Sequence, residues 1–126
     1  MKKEFSSNWK SSKQPRKQRK YRYNAPLHIK RKFMGIHLSK DLKKKYSKRN
    51  LIAKKGDTVK VVRGQFKGKI GKIEKVDIKK ERIYMVGLEI TKKDGTKTKY
   101  PINPSNLILT DLTLEDKKRM VSLKRK

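Results

Sequence analysis

The chain has 126 residues, with 39 Lys and Arg against 11 Asp and Glu, which gives a formal net charge of +28. Hydrophobic residues make up 33% and charged residues 40%, a balance close to that of disordered chains, so only part of the sequence can supply a compact core. Cysteine is absent, which excludes disulfides, thiolate zinc sites and cysteine nucleophiles.

The charge indicates the class of partner. A free globule with this much charge would repel itself, so the composition favours a polyanion, nucleic acid before an anionic membrane. No apolar run approaches the about 20 residues of a transmembrane helix. No apolar segment follows the basic N-terminus as it would in a secretion signal. We therefore expect a soluble intracellular protein that does not insert into a membrane.

Residues 1–26 predict a basic arm with no core of its own. Ser, Gln, Lys and Arg dominate this segment, which also contains two prolines. Its aromatic residues Trp9, Tyr21 and Tyr23 are scattered among cations. They could stack on bases, at about 1–3 kcal/mol per base. Alternatively, they could pack on the folded domain or on a neighbouring protein.

Two short helices are predicted after the arm. Pro26 suits the first turn of a helix over residues 27–35, which Gly35 can end. A second helix begins at Ser39, a good N-cap, with Asp41 near its positive end. Because helices this short are marginal alone, we expect both to settle on the domain or on the partner.

From residue 51 onward the pattern predicts five short strands, and such a series is typical of a small barrel or sandwich. The five strands are read from the segments DTVKVV, KIGKIEKVDI, RIYMVGLEI, TKYPI and NLILT. In the second, the apolar spacing slips near Gly71, which suggests a β-bulge. The third is nearly continuous, with four apolar residues in alternation: Tyr84, Val86, Leu88 and Ile90.

The segment TKKDGTKTK predicts a hairpin that projects from the domain. Asp94 and Gly95 form a strong two-residue turn signal, and the flanking Thr and Lys residues leave neither face apolar. The tip has nothing to bury and should extend into solvent or into a partner. At the C-terminus, Thr113 and Asp116 resemble a loose capping box for a short helix with a basic end.

The stretch RGQFKGKIGK, residues 63–72, combines three glycines with four cations. A phosphate-binding P-loop needs four residues between its glycines and a hydroxyl after its lysine, but three residues separate Gly64 from Gly68, and Ile70 follows Lys69. A KH-type clamp joins two helices, whereas both flanks here predict strands. What remains is a glycine-bent loop whose cations approach a nucleic acid, or a plain turn with solvated lysines.

No arrangement in the sequence indicates catalysis. His28 and His37 do not have the spacing of a helical metal pair, so RNA contact or packing suits them better. Four acids lie among lysines and are interpreted as charge partners: Glu74, Asp77, Glu81 and Glu89. We predict no enzyme activity, no catalytic residue, no metal, no cofactor and no small-molecule substrate.

The segment KKGDTVKVVRGQFKGKIGKIEKV resembles a KOW motif. Three other segments extend the likeness: KQPRKQRKYRYNAPLHIKRKFM, LSKDLKKKY and YPINPSNLILTDL. Over residues 13–118 they resemble the archaeal and eukaryotic branch of the universal L-twenty-four family of large-subunit ribosomal proteins, called L-twenty-six in eukaryotes. The first dozen residues match nothing in that family.

This resemblance implies a mainly β fold, a small SH3-like β-barrel with a basic N-terminal extension carrying short helices and a short C-terminal helical tail. We divide the chain into a basic N-terminal extension with short helices (1–50), which includes the arm of residues 1–26, a KOW SH3-like β-barrel (51–112) and a basic C-terminal tail (113–126). The implied role is that of a cytoplasmic, structural component of the large ribosomal subunit. It would bind the 5′ region of the large-subunit RNA, support assembly and lie on the outer surface near the polypeptide exit tunnel, beside other ribosomal proteins.

The candidate RNA contacts are cations of the arm, the first predicted helix, the glycine-rich loop and the hairpin: Arg16, Lys17, Arg19, Lys20, Arg22, Lys30, Arg31, Lys32, Arg63, Lys67, Lys69, Lys72 and Lys97. Two other functions stay open. A KOW module of the transcription elongation machinery would bind polymerase or nascent RNA. A general DNA-compacting protein would bind duplex DNA as well as RNA.

Overall fold

The computed structural model describes residues 5–9 and 11–125. Short helices lie mainly near the two ends of this part of the chain, and strands occupy the middle. In order, the elements are α1 Pro15–Asn24, α2 Leu27–Phe33, β1 Gly35–Leu38, α3 Lys40–Tyr46, β2 Asn50–Ile52, β3 Thr58–Val61, β4 Ile70–Asp77, β5 Arg82–Met85, β6 Glu89–Thr91, β7 Lys97–Lys99, a 3₁₀ turn Pro104–Asn106, β8 Leu107–Asp111 and α4 Lys117–Lys124.

Six strands form one sheet in the order β2-β1-β8-β3-β4-β5. Its neighbours are antiparallel except β1 and β8, which run parallel. Their inward side chains supply most of the buried core, so the prediction of a mainly β fold is confirmed. The outer strands β2 and β5 do not pair with each other in the described residues, and the sheet stays open.

Strand β1 lies where no strand was predicted. Helix α2, the first of the two predicted helices, ends at Phe33, before Gly35, and the chain then enters the sheet. Met34, Ile36 and Leu38 are at most 2% exposed, while His37 between them is exposed. This alternation is typical of a half-buried strand, but residues 36–38 lie between the two predicted helices, and no element is predicted there from the sequence. The division of the chain at residues 50 and 112 stays a prediction.

The third predicted strand is interrupted, and its predicted apolar alternation holds only at Leu88, which is buried. Before the interruption the buried residues are Ile83 and Met85, whereas Val86 is 59% exposed. Gly87 has φ +78° and turns the chain between β5 and β6. A residue with positive φ breaks the two-residue period, because the backbone leaves the extended conformation there.

The bulge predicted near Gly71 lies slightly further along β4. The register of β4 against β5 shifts between Ile73 and Lys75. Gly71 has a different reason to be glycine: a Cβ at that position would lie 3.3 Å from the Val86 carbonyl oxygen. The glycine therefore lets the chain after β5 pass close over the start of β4.

The β6–β7 hairpin is exposed along its whole length, as the sequence predicted. Its turn is longer than the two-residue type, because Lys92 N–H donates to Thr96 O at 2.9 Å around a three-residue loop. Gly95 has φ +83°, but Asp94 does not share that conformation. Instead, the Asp94 carboxylate accepts hydrogen bonds from Thr96 N–H and Oγ1 at 3.0 and 2.7 Å. These bonds lower the pKa of Asp94.

The two later helices begin at side-chain caps. Ser39 Oγ accepts a hydrogen bond from Leu42 N–H at 3.3 Å, which confirms the predicted start of α3. For α4 the cap is Asp116, not Thr113, since its carboxylate accepts from the N–H groups of Lys118 and Arg119. None of the helices in the described ranges is long and apolar enough to span a membrane.

Candidate nucleic-acid interface

Helix α1, which is not predicted from the sequence, places three cations of the basic arm on one helix face. Arg16, Arg19, Lys20 and Tyr23 are exposed and recur at the i, i+3, i+4, i+7 spacing that places residues on one helix face. We call the three cations the α1 stripe. No residue of α1 is buried, so the helix keeps its charges at the surface.

Aromatic side chains attach the other side of α1 to the rest of the protein. The Tyr21 ring centroid lies 4.9 Å from that of Phe5, 5.9 Å from Trp9 and 6.4 Å from Phe33, and these four residues form the aromatic cluster. Trp9 and Tyr21 thus pack within the protein, which favours the packing alternative over base stacking for both. Tyr23 is 76% exposed, with the Lys30 ammonium 6.0 Å from its ring.

Arg22 forms an ion pair with another part of the chain at the surface of the protein. Its Nη2 lies 2.5 Å from Glu81 Oε2, and its guanidinium sits 5.3 Å from the Phe33 ring. The ion pair ties α1 to the turn between β4 and β5. Lys30 Nζ donates to Lys79 O of the same turn at 3.4 Å. These contacts occupy two predicted RNA-binding cations, whereas Lys17 is exposed beside the aromatic cluster.

The glycine-rich stretch forms the β3–β4 loop, residues 62–69, between two antiparallel strands. Gly64 and Gly68 have φ +93° and +89°, and Gly68 N–H donates to Val61 O at 2.8 Å to close the loop. Strands on both sides agree with the exclusion of a P-loop and of a KH clamp. Gly64 and Gly68 therefore allow the positive φ angles that the turn needs. Both remaining interpretations of the stretch include this role.

The loop cations point away from the core. Arg63, Lys67 and Lys69 are exposed, and the Lys69 ammonium lies 5.0 Å from the Phe66 ring centroid. Lys72 is also exposed, near the start of β4, and Lys97 lies on the projecting hairpin. The structure therefore divides the predicted cations into the α1–α2 side, the β3–β4 loop and the hairpin. Arg63, Lys67, Lys72 and Lys97 form no ion pair with an acid within the described residues.

A basic groove that the sequence did not predict lies between α2, β2, α4 and the end of β4, with a volume of about 650 Å³. We call it the basic groove. Seven cations line it: Arg31, Lys32, Lys48, Arg49, Lys54, Lys118 and Arg119. Its one acid, Asp116, is paired with Lys54 at 3.0 Å. The Lys54 side chain lowers the pKa of Asp116. Because these cations come from four separate segments, no local pattern in the sequence signals them.

One cation of the groove is anchored below the surface. Arg119 Nη1 and Nη2 each lie 2.6 Å from an oxygen of Asp57, which is fully buried. The Asp57 carboxylate also accepts from the N–H groups of Lys54 and Thr113 at 3.0 and 3.1 Å. This fork-to-fork pair fixes α4 on the sheet. The two residues are 62 positions apart, and nothing near either one indicates the pairing.

Two of the four acids interpreted as charge partners are in ion pairs. Glu81 binds Arg22, and Glu74 binds Lys99 of the hairpin. Asp77 accepts a hydrogen bond from Lys80 N–H at 3.0 Å. Among the residues with described positions, no three His, Asp or Glu side chains gather as a metal site would require.

A strand-built core with cations over its surface defines a small, strongly basic β-domain protein. Residues 12–126 match the family of ribosomal proteins described as L26 in eukaryotes and L24p in archaea. The chain is 50% identical over 115 residues to the "Large ribosomal subunit protein uL24" of Methanosphaera stadtmanae, covering 91% of this chain and 98% of the relative. It is 51% identical over 114 residues to the protein of the same name from Methanosarcina barkeri, covering 90% and 98%.

The chain belongs to this ribosomal protein family. The resemblance stated from the sequence is thereby confirmed. Membership of a ribosomal protein family also confirms the prediction that the chain is not an enzyme.

Proposed function

We propose that this protein is a structural component of the large ribosomal subunit in the cytoplasm and binds large-subunit RNA directly. The observation that carries the proposal is the placement of its cations. The α1 stripe and the loop cations Arg63 and Lys67 are exposed and have no acidic partner within the described residues. Unpaired cations over the surface of a chain with net charge +28 suit a phosphate backbone.

The fold supports this role as an SH3-like KOW unit. Strands β8, β3, β4 and β5 are consecutive antiparallel neighbours in the sheet. Ile102, just before β8, forms an isolated bridge with Ile83 of β5. This bridge brings β5 back toward the start of β8 and so curves these four strands toward a barrel. We propose that the β3–β4 loop is the KOW element that approaches RNA.

Finer parts of the role follow the family resemblance. The protein would bind the 5′ region of the large-subunit RNA, support subunit assembly and lie on the outer surface near the polypeptide exit tunnel. Neighbouring ribosomal proteins would be its further partners. A surface with several separate cationic regions suits contact with folded RNA, which proteins recognise by shape as well as by sequence.

Binding to the 5′ region of large-subunit RNA, measured over a salt series, tests the proposal. If six to ten phosphates are contacted, affinity should fall by about 10³–10⁵ between 50 and 200 mM salt. Reversing the charge of both Lys67 and Lys69 to Glu should weaken binding without unfolding the protein. The matched control reverses Lys43 and Lys44 to Glu on α3, where no RNA contact is predicted.

Several outcomes would contradict the proposal. A flat salt profile would remove the phosphate contacts on which it depends. Equal loss of affinity in the loop and control variants would reduce the β3–β4 loop to a plain turn. Recovery of the chain with RNA polymerase, and not with large subunits, would favour the elongation alternative. Equal affinity for duplex DNA would favour a DNA-compacting role.

A further inference from the structure

A pocket opens beside the β3–β4 loop, with a volume of about 300 Å³. The loop forms one wall, and the segment from Tyr100 to Asn106 forms the opposite wall. We propose that this pocket, which we call the loop pocket, receives one unstacked base of the bound RNA. The inference rests on the proposed function and adds a site where an RNA base is gripped.

An aromatic pair supplies the stacking surface. The rings of Phe66 and Tyr100 meet edge to face, with centroids 4.9 Å apart and an interplanar angle of 66°. Phe66 and Tyr100 both line the loop pocket, and the Lys69 ammonium lies 5.0 Å from the Phe66 ring centroid. Unpaired bases stack on aromatic faces of this kind in single-stranded RNA recognition.

Two side-chain amides supply hydrogen bonds for a base edge. Asn106 lines the loop pocket, and its side-chain amide has no hydrogen-bond partner within the described residues. Asn103 Oδ1 accepts from the N–H and Oγ of Ser105 at 3.2 and 3.1 Å, which leaves its NH₂ group as a donor. An amide offers both a donor and an acceptor, the pattern that the Watson–Crick edge of a base requires.

The rim of the loop pocket is cationic. Arg63 and Arg82 both line it, and it contains no acidic residue among the described lining. A guanidinium there can hold the phosphate of the same nucleotide or stack on the base. Gly64 on the wall has φ +93° and no atom within 4 Å of the place where a Cβ would stand.

The size of the loop pocket selects the form of the ligand. A cavity of about 300 Å³ is at the small end of ligand sites and suits one nucleotide. A paired base inside a helix cannot enter, because its faces are already stacked and its edge is occupied. The pocket therefore requires a bulged, looped or terminal nucleotide, and it would fix the position of the protein on an RNA whose helices it otherwise contacts through phosphates.

RNA duplexes that differ by one nucleotide test the inference. The full chain is titrated against a parent duplex and against four versions with a single bulged A, C, G or U, followed by fluorescence anisotropy. At least one bulged duplex should bind about fivefold to a hundredfold more tightly than the parent. Nucleoside 5′-monophosphates should bind far more weakly than that duplex, since they lack the flanking phosphates.

Two variants assign the preference to the loop pocket. Asn106→Ala removes an amide that has no protein partner, and Tyr100→Leu removes the ring face but keeps apolar volume. Both should reduce the preference for the bulge while leaving affinity for the parent duplex unchanged. Arg16→Ala, outside the loop pocket, should reduce affinity for the parent duplex and for the preferred bulged duplex by the same factor. Thermal unfolding checks the fold of Tyr100→Leu. If Tyr100→Leu does not fold, Asn106→Ala provides the test.

The results separate this inference from the proposed function. Equal binding of all five duplexes by the wild type, or a bulge preference that survives Asn106→Ala, would overturn the loop pocket while binding to large-subunit RNA persists. Monophosphates that bind as tightly as the bulged duplex would instead identify a free-nucleotide site and also overturn it. The proposed function would be overturned by a different result: wild-type protein that binds large-subunit RNA no more tightly than other nucleic acids.

Discussion

The helices nearest the two ends of the chain are both basic, yet they attach to the protein in opposite ways. Helix α1 buries no residue and rests on the aromatic cluster and one Arg–Glu pair at the surface. Helix α4 buries Arg119 and Leu123, and its arginine forks onto the buried Asp57 carboxylate. The same residue type thus contributes a surface charge in one helix and an internal anchor in the other.

The difference lies in the environment of each pair. The side chains of Arg22 and Glu81 are 50% and 14% exposed, so water screens much of their attraction and such a pair contributes about 0–1 kcal/mol. Those of Arg119 and Asp57 are 7% and 0% exposed. Removing one member of a buried pair strands a charge away from water, which is far more costly than losing an exposed pair.

The largest effect is expected from Asp57→Asn. This change keeps the shape of the side chain but leaves the Arg119 charge without its partner. Stability should fall by about 3–5 kcal/mol in urea unfolding. Glu81→Gln makes the same chemical change at the exposed pair and should cost about 1 kcal/mol or less. Equal losses in the two variants would erase the distinction between the helices.

The second effect concerns RNA binding by α1. Replacing the three cations of the α1 stripe with Ala should reduce the salt dependence of binding by about one phosphate contact each. Ala favours helix and these side chains are exposed, so thermal unfolding should hardly change. Lys40, Lys43 and Lys44 of α3 replaced by Ala provide the matched control. An unchanged salt slope in the α1 variant would show that this helix does not contact phosphate.

A smaller effect is expected from Tyr21→Ala, which removes the residue that links the aromatic cluster. An aromatic pair adds about 0.5–1.5 kcal/mol beyond burial, so global stability should change little. Trp9 is the one tryptophan of the chain, and its emission reports on the cluster. Its emission should shift to longer wavelength as the ring gains water. An unshifted spectrum would mean that α1 is held by other contacts.

The smallest effect is expected from the cap of α4. Hydrogen bonds from the Lys54 side chain and from the helix N–H groups lower the pKa of Asp116 below its usual 3.8. A depressed carboxyl pKa stabilises the folded state above 3.8, and that contribution is lost as pH falls through the lowered value. Asp116→Asn should therefore show a shallower acid-side fall in Tm than the wild type. Parallel curves would contradict the cap as an electrostatic contact.

Local signals in the sequence predicted part of the fold. Val59 and Val61 of β3 and the buried residues of β8 follow the two-residue period, and Ser39 caps α3 as predicted. The prediction missed β1, because four residues of strand pattern stand inside a basic segment. It also continued the third strand through Gly87, where the chain turns.

Only part of the candidate site could likewise be predicted from the sequence. The exposed cations of the β3–β4 loop could be found from composition, since glycines and lysines in one short stretch indicate a turn with charged edges. The basic groove and the loop pocket could not. Their members, such as Arg31 with Lys118, or Phe66 with Tyr100, are distant in the chain and meet only when the sheet folds.

The sequence alone determined the net charge, the class of partner that such a charge favours, the loop glycines and the family resemblance, because each depends on residue types or on short spacings. The tertiary structure decided which cations form ion pairs and how deeply each pair is buried. Arg22 and Arg119 are both arginines in basic helices, yet one lies on the surface and the other on a buried carboxylate. The environment of each arginine depends on which distant acid the topology brings within reach, and short-range sequence patterns do not predict it.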